Sequence, residues 1–398
     1  MKIRFLIIFL FNILWCSFLL YSQPRNITVL DKSTRLPLEH VSIQILETNQ
    51  GTITNSEGNA SIIVKANENI KISMLNYEEF ILNYDEFNKT DTIFLLPKIF
   101  ELDEVTVKSF NLKKALNHVL ENYSKLYVDV PFEKECDFKE IFEIDGKLKR
   151  FIISKVNWWD KSYERKKSLP KFRLGEISYS KNVPFDIFKD LPKNDPSKSG
   201  YVELNSLIQL MYLNTLLNII GPLIADSQVV VEDSPTDVTI VSFETIPLKV
   251  NSDNVTQKFE GKITFDKKTQ AILVIDYEVI YQNYIMTKKL IETGKEYLQE
   301  SKKGNVRLEF YKTDNAKLSL KTLEMGGQEV ITYNNKKHSV EVMNKIYVLR
   351  ESNLSKVNNS GLIDLKKPIY ESLPSKEIKS TNSILLNTKE KEFMFGGN

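Results

Sequence analysis

Six short runs between Ile27 and Leu96 constrain this chain more than any other feature. Residues 27–30, 41–46, 61–64, 70–74, 79–83 and 92–96 are β-rich, and turn chemistry separates them. Val41, Ile43 and Ile45 alternate with Ser42, Gln44 and Leu46, and Ile70, Ile72 and Met74 alternate with Lys71 and Ser73. The intervening turns are Asp31-Lys32-Ser33-Thr34, Asn49-Gln50-Gly51, Asn55-Ser56-Glu57-Gly58 and Asn67-Glu68-Asn69. Period two with one apolar face and frequent turns predicts a small antiparallel sandwich. Gly58 is placed to supply a positive φ in its turn.

What precedes this module predicts its compartment. Lys2 and Arg4 form a positive start, and Phe5 to Tyr21 carries no charge. Ser22 and Gln23-Pro24 end the run, the layout of a secretion signal over residues 1–22 cut after Ser22. The rival is a retained anchor, because seventeen residues sit at the short end of what spans a bilayer. Beyond residue 22 the chain has 52 basic and 52 acidic side chains, so nothing draws it to nucleic acid. Of the two cysteines only Cys136 lies beyond residue 22, and the histidines are three. That composition excludes an intrachain disulfide beyond the leader and a Cys/His zinc cluster.

The string VLDKSTRLPLEHVSIQILETNQGTITNSEGNASIIV followed by IKISMLNYEEFIL resembles the carboxypeptidase regulatory-like domain. Pro37-Leu38, Val41-Ser42-Ile43, Thr54-Asn55 with Gly58, and Ile72-Ser73 with Tyr77 carry the likeness. The chain departs from the pattern at Asn76, which stands where the family has Gly before Tyr77. The resemblance implies a seven-stranded transthyretin-like sandwich over residues 23–108, and it implies no peptidase activity. Phe100 to Val107 is similar to the segment that follows this domain in TonB-dependent outer-membrane receptors. The chain has too few alternating segments and is too short for the barrel of such a receptor, so the segment reads as the last strand and linker of a soluble module.

Residues 109–352 read as a larger antiparallel-sheet α+β domain. Leu112 to Tyr127 repeats apolar residues at three and four, with Asn111 as N-cap. Strands are expected at 137–144, 148–159, 201–204, 228–233, 237–245, 257–266, 270–281, 284–292, 304–312, 316–324, 328–333 and 338–349. The clearest hairpin turns at Asp266-Lys267-Lys268-Thr269 and is similar to the meander of periplasmic lipoprotein carriers. The stretch VPFEKECDFKEIFEIDGKLKRFIISKVNWWD resembles uncharacterised two-part envelope proteins that begin with a regulatory-like domain. Trp158 and Trp159 should face opposite sides of a strand, one in the core and one exposed or at a domain interface. Residues 181–200 read as a surface loop, and 353–398 as a polar, loosely structured tail with short docked pieces. The fold class is therefore mainly β with some α.

Asn205 to Ala225 is uncharged and rich in Leu and Ile. Read as a helix, it packs on the sheet as core or closes an apolar pocket, with Leu207, Met211, Leu216, Ile219 and Ile220 as the ligand contacts. No nucleophile elbow, His-Glu-x-x-His or phosphate loop occurs, and Gly326-Gly327 reads as a turn. Cys136 lies between Glu135 and Asp137, which do not favour a thiolate. Asp91-Thr92-Ile93 fits an O-glycosylation acceptor pattern of some envelope proteins. No catalytic, cofactor or metal residue is assigned. The expectation is an exported, non-enzymatic envelope protein, periplasmic or at the outer membrane or cell surface, that binds or positions a partner. Two alternatives stay open: a carrier of an apolar ligand or lipid in a half-barrel, and a hydrolase with an unrecognised site.

Overall fold

A computed structural model describes residues 24–396 except 49–50, 75–76, 99–109, 166–169, 184–203, 234–236, 251–253, 290–295, 314, 358, 366, 368, 374–376 and 380–385. The leader at 1–22, Asn76, the 100–107 segment and most of the 181–200 loop lie outside the described residues. The chain divides into a unit of residues 1–98 with 383–388 and a second of 99–382 with 389–398.

The first unit has seven strands: β1 (Arg25–Asp31), β2 (Ser42–Ile45), β3 (Gly51–Ile53), β4 (Asn59–Ile62), β5 (Asn69–Ser73), β6 (Phe80–Asn83) and β7 (Thr92–Leu95). One sheet runs β4-β1-β7 and the other β3-β2-β5-β6. Their inner faces bury Ile27, Val29, Ile43, Ile45, Ile70, Ile72 and Ile93 in one core. The alternation read from the sequence is what puts these residues on inner faces.

Two expectations are corrected here. The β1–β7 pair is parallel, so the sandwich is not purely antiparallel. Gly51 opens β3 instead of ending in a turn, and a Cβ there would lie 2.7 Å from the Ile43 carbonyl oxygen. Gly58 has φ +73°, as its turn requires. Asn55 builds that turn, its side chain accepting from the N–H groups of Glu57 (3.0 Å) and Asn59 (2.9 Å). A short helix, α1 (Tyr84–Asn88), follows β6. Asn83 and Glu86 close a reciprocal capping box at its start.

Among the described residues, thirteen strands form the sheet of the second unit. They are β8 (Phe132–Ile144), β9 (Lys147–Asp160), β10 (Lys171–Asn182), β11 (Gln228–Asp233), β12 (Val238–Glu244), β13 (Leu248–Lys249), β14 (Thr256–Asp266), β15 (Ile272–Gln282), β16 (Ile285–Lys289), β17 (Glu296–Lys312), β18 (Leu318–Tyr333), β19 (Lys336–Ser352) and β20 (Ile378–Lys379). The order is β11-β12-β14-β15-β17-β18-β19-β8-β9-β10-β20, with β13 beside β14 and β16 beside β17. All these pairings are antiparallel.

The Asp266–Thr269 turn behaves as its residues predict. The Asp266 carboxylate accepts from the Thr269 N–H at 2.7 Å and hydroxyl at 2.9 Å. Gly326-Gly327 is corrected: the pair lies inside β18, with Gly327 opposite Gly304 of β17. Residue 204 is corrected too, because it opens a helix instead of ending a strand.

Helices α2 (Leu112–Glu121), α3 (Tyr123–Leu126), α4 (Leu204–Met211) and α5 (Leu213–Ile224) share one apolar core with the sheet, and α6 (Thr388–Phe395) ends the described chain. Asn111 caps α2, accepting from the Lys114 N–H at 2.8 Å. The tail holds docked pieces: β20 pairs with β10, and Ile363 and Ile369 join the main core.

Candidate functional site

The uncharged segment forms α4 and α5, which break at Tyr212. Leu207, Met211, Leu216 and Ile220 are all at most 3% exposed and belong to the main core. Ile219 is apart from them at 50% exposed. The outward side of α5 carries Asn218, Ile219 and Pro222, without a charge. Among the described residues no helix is long and apolar enough to cross a membrane.

Aromatic side chains fill the space between these helices and the sheet. Trp158 stacks on Phe172 with centroids 5.9 Å apart and meets Phe132 edge-on at 5.0 Å. Tyr163 stacks on Tyr212 at 5.7 Å. Their hydroxyls are tied down, Tyr212 donating to Asp160 and Tyr163 to the Met211 carbonyl. Tyr127 donates to the Ile272 carbonyl and accepts from the Ile272 N–H, both at 3.0 Å. Burial raises the Asp160 carboxyl, opposed by the Tyr212 hydrogen bond.

Of the two expectations for Trp159, exposure is corrected. It is 6% exposed, and its indole N–H donates to the Leu354 carbonyl at 2.7 Å. Residues from the tail therefore cover the second tryptophan, a contact that local alternation does not announce.

A polar row crosses the sheet beside this aromatic core. Lys134 on β8 stands opposite Glu351 on β19, and Tyr311 on β17 opposite Ser319 on β18. The Lys134 ammonium donates to Ser319 Oγ and to Glu351 Oε2. Ser319 (2.5 Å) and Tyr311 (2.8 Å) also donate to Glu351 Oε2. A register shift between Val348 and Arg350 sets this up. Without the extra residue, Glu351 would face the other side of the sheet.

Burial lowers the Lys134 ammonium against the pull of Glu351. It pushes Glu351 up, but the Lys134 charge and the two hydroxyls hold that carboxyl below the usual glutamate value. A serine hydroxyl against a lysine amine is the pairing of a nucleophile and its base. Here both residues have no exposed surface, and Glu351 takes up both groups. The row fastens four strands and offers no reacting atom to a substrate.

Other chemistry-bearing residues are dispersed among structural roles. Burial pushes the Cys136 thiol far above its ordinary value, opposed by Lys134. His40 sits in a turn with φ 68°, and His338 contacts Asp145 at 2.8 Å. His118 lies on α2. Among the described residues no group of His, Cys, Asp and Glu could hold a metal ion.

The opposite face of the sheet is charged. Lys155 and Arg350 each reach Glu135 at 2.9 Å, and Arg307 reaches Asp276 at 2.7 Å. A shallow groove of about 230 Å³ on this face is lined by Glu278, Lys303, Asn305, Gly326, Gln328 and Glu341. Gly326 opens it, since a Cβ there would lie 2.5 Å from Asn305 Oδ1.

Comparison with known proteins agrees with the sandwich. Residues 28–107 match the CarboxypepD_reg-like domain, and the N-terminal module is a domain of that kind. No curated protein matches the chain. Among solved structures, a domain described as an outer membrane lipoprotein-sorting protein from Vibrio parahaemolyticus is similar over 63% of this chain and 96% of its own, at 10% identity and TM-score 0.24. A protein from Bacteroides fragilis described as membrane-associated and of unknown function is similar over 82% of this chain and 97% of its own, at 10% identity and TM-score 0.14.

Proposed function

We propose that this chain is an exported, non-enzymatic cell-envelope protein. It binds or positions a partner protein through exposed surfaces of the regulatory-like sandwich and of the larger β-rich domain. The observation that carries this reading is the sheet face buried under α4 and α5. Four of the five side chains that would line an apolar-ligand pocket are at most 3% exposed in one continuous core. A carrier needs that face open for its cargo. The groove on the other face is lined mainly by charged and amide side chains, with Val342 and Met343 at its edge, and suits a polar group better than an apolar ligand.

The charge-free run after Lys2 and Arg4 supports export, and the regulatory-like domain supports a role in positioning. The sandwich exposes Leu36 at 63% and Ile81 at 57%, and Arg35 lies 4.2 Å over the exposed Phe94 ring. Apolar side chains with a flanking cation are common features of partner surfaces.

Native mass spectrometry of the chain purified from its own envelope, with organic extraction of the same sample, tests the reading. We expect polypeptide masses free of lipid, and an envelope protein recovered with the chain after crosslinking. A lipid bound at one per chain would overturn it in favour of the carrier.

A further inference from the structure

We propose that β11 is a self-pairing edge, through which two copies of this chain join their large sheets about a two-fold axis at Val230. At one end of the sheet β11 bonds to β12 alone, and among the described residues no strand lies beyond it. Its six pairs with β12 run without a register shift, from Gln228↔Glu244 to Asp233↔Thr239.

Open edges are ordinarily blunted by shortness, lysine, proline or a bulge. The other free edges of this sheet follow that rule. β20 has two residues, and β16 carries Lys288 and Lys289. β11 reads Gln-Val-Val-Val-Glu-Asp, with no lysine, proline or bulge, and its charges are confined to Glu232 and Asp233 at one end. Val230, at 62% exposed, is the most exposed large apolar side chain on any described strand.

The occupant follows from register. In an antiparallel pair, opposite residues share a face, so a two-fold axis perpendicular to the sheet must pass through a residue. Centring on Val230 sets that residue against the partner's Val230. Val229 then meets the partner's Val231, Gln228 meets the partner's Glu232, and Ser227 meets the partner's Asp233. Valines meet valines, and no acid meets an acid. Centring on Val231 instead sets Val230 against the partner's Glu232 and Val229 against the partner's Asp233. One register of the two is therefore self-complementary, the requirement for an isologous interface. The inference stands on this edge alone and does not depend on the reading of the helix-covered face.

Sedimentation velocity of the full chain over a dilution series, with two substitutions at the axis, tests it. We expect a reversible dimer. Val230→Lys, which changes an exposed side chain, should weaken dimerisation at least about tenfold by placing two ammonium groups together. Val230→Cys should crosslink to itself under mild oxidation. Gln228→Cys should not, because its copies would be about 13 Å apart at about 3.3 Å of rise per residue. A chain monomeric at every concentration overturns the proposal. So does a dimer that survives Val230→Lys without crosslinking through Val230→Cys, since it would form elsewhere.

Discussion

Lys134 meets Glu351 at 2.5 Å across neighbouring strands, and the lysine has no exposed surface there. Removing one partner from such a pair leaves the other charge buried and uncompensated. We expect Glu351→Gln to destabilise the larger domain by about 3–5 kcal/mol in urea unfolding. The double change Lys134→Met with Glu351→Leu should recover most of that loss, because neither charge is then left behind.

The Ile219 and Leu216 pair separates core from surface on one helix. Leu216→Ala should cost about 2–5 kcal/mol, as a buried leucine does when truncated. Ile219→Asn should stay within about 0.5 kcal/mol of the unaltered chain. Parallel thermal unfolding of the two variants checks the contrast. Equal losses would place Ile219 in the core.

Asp137 lies on the charged face, and its Oδ1 is buried with no hydrogen-bond partner among the described residues. Burial raises its carboxyl to about 6, with Glu135 and Glu176 adding to the rise and Lys155 opposing it. A raised folded-state value means that the fold prefers the protonated acid. Stability should fall as pH rises from about 4 through 6, and the full penalty is present above that. We expect Asp137→Asn to gain about 1–2 kcal/mol at pH 7.5 and nothing below pH ~4, read from urea midpoints across pH.

In the sandwich, Asp31 accepts from the backbone N–H groups of Thr34 and Ser33 and from the Tyr77 hydroxyl, each at 2.7 Å. The Thr34 N–H, then Tyr77, hold its carboxyl below the usual aspartate value. This support is complete above the unfolded value and is lost as pH falls through the lower folded one. Tyr77→Phe should move the Asp31 titration upward in a carbon-detected NMR series. An unmoved titration would mean that the backbone donors act alone.

Local chemistry made much of this architecture legible. The alternation of Val41, Ile43 and Ile45, the Asn55–Gly58 turn, the Asn111 cap and the Asp266–Thr269 hairpin all depend on residues a few positions apart. What escaped were features set by distant parts of the chain. β10 is broken by register shifts between Leu174 and Ile177 and again before Tyr179, so the alternation of Phe172 and Leu174 and that of Ile177 and Tyr179 do not join into one phase. Gly326-Gly327 carries turn composition, yet its neighbours Lys303 to Asn305 and Glu341 to Met343 hold it extended. The Lys134 row joins residues more than two hundred positions apart, with only a bulge in β19 to bring Glu351 to the right face. Of the five side chains named for an apolar pocket, burial separates Ile219 from the other four, a distinction that an uncharged helix does not display in its sequence.

The strand order has a temporal consequence. From β11 to β19 the path follows the chain in sequence, but β8 must wait for β19, its partner from Glu133 to Ile144 against residues 340–352. Closing so long a loop is slow, and it cannot begin until the last long strand exists. A chain that emerges from its N-terminus can complete the sandwich early. It must then hold the β8–β10 hairpins with one edge unpaired until β19, which ends 170 residues after β10 (352 − 182), has followed. That waiting edge, and not the finished protein, is where a chaperone would be needed.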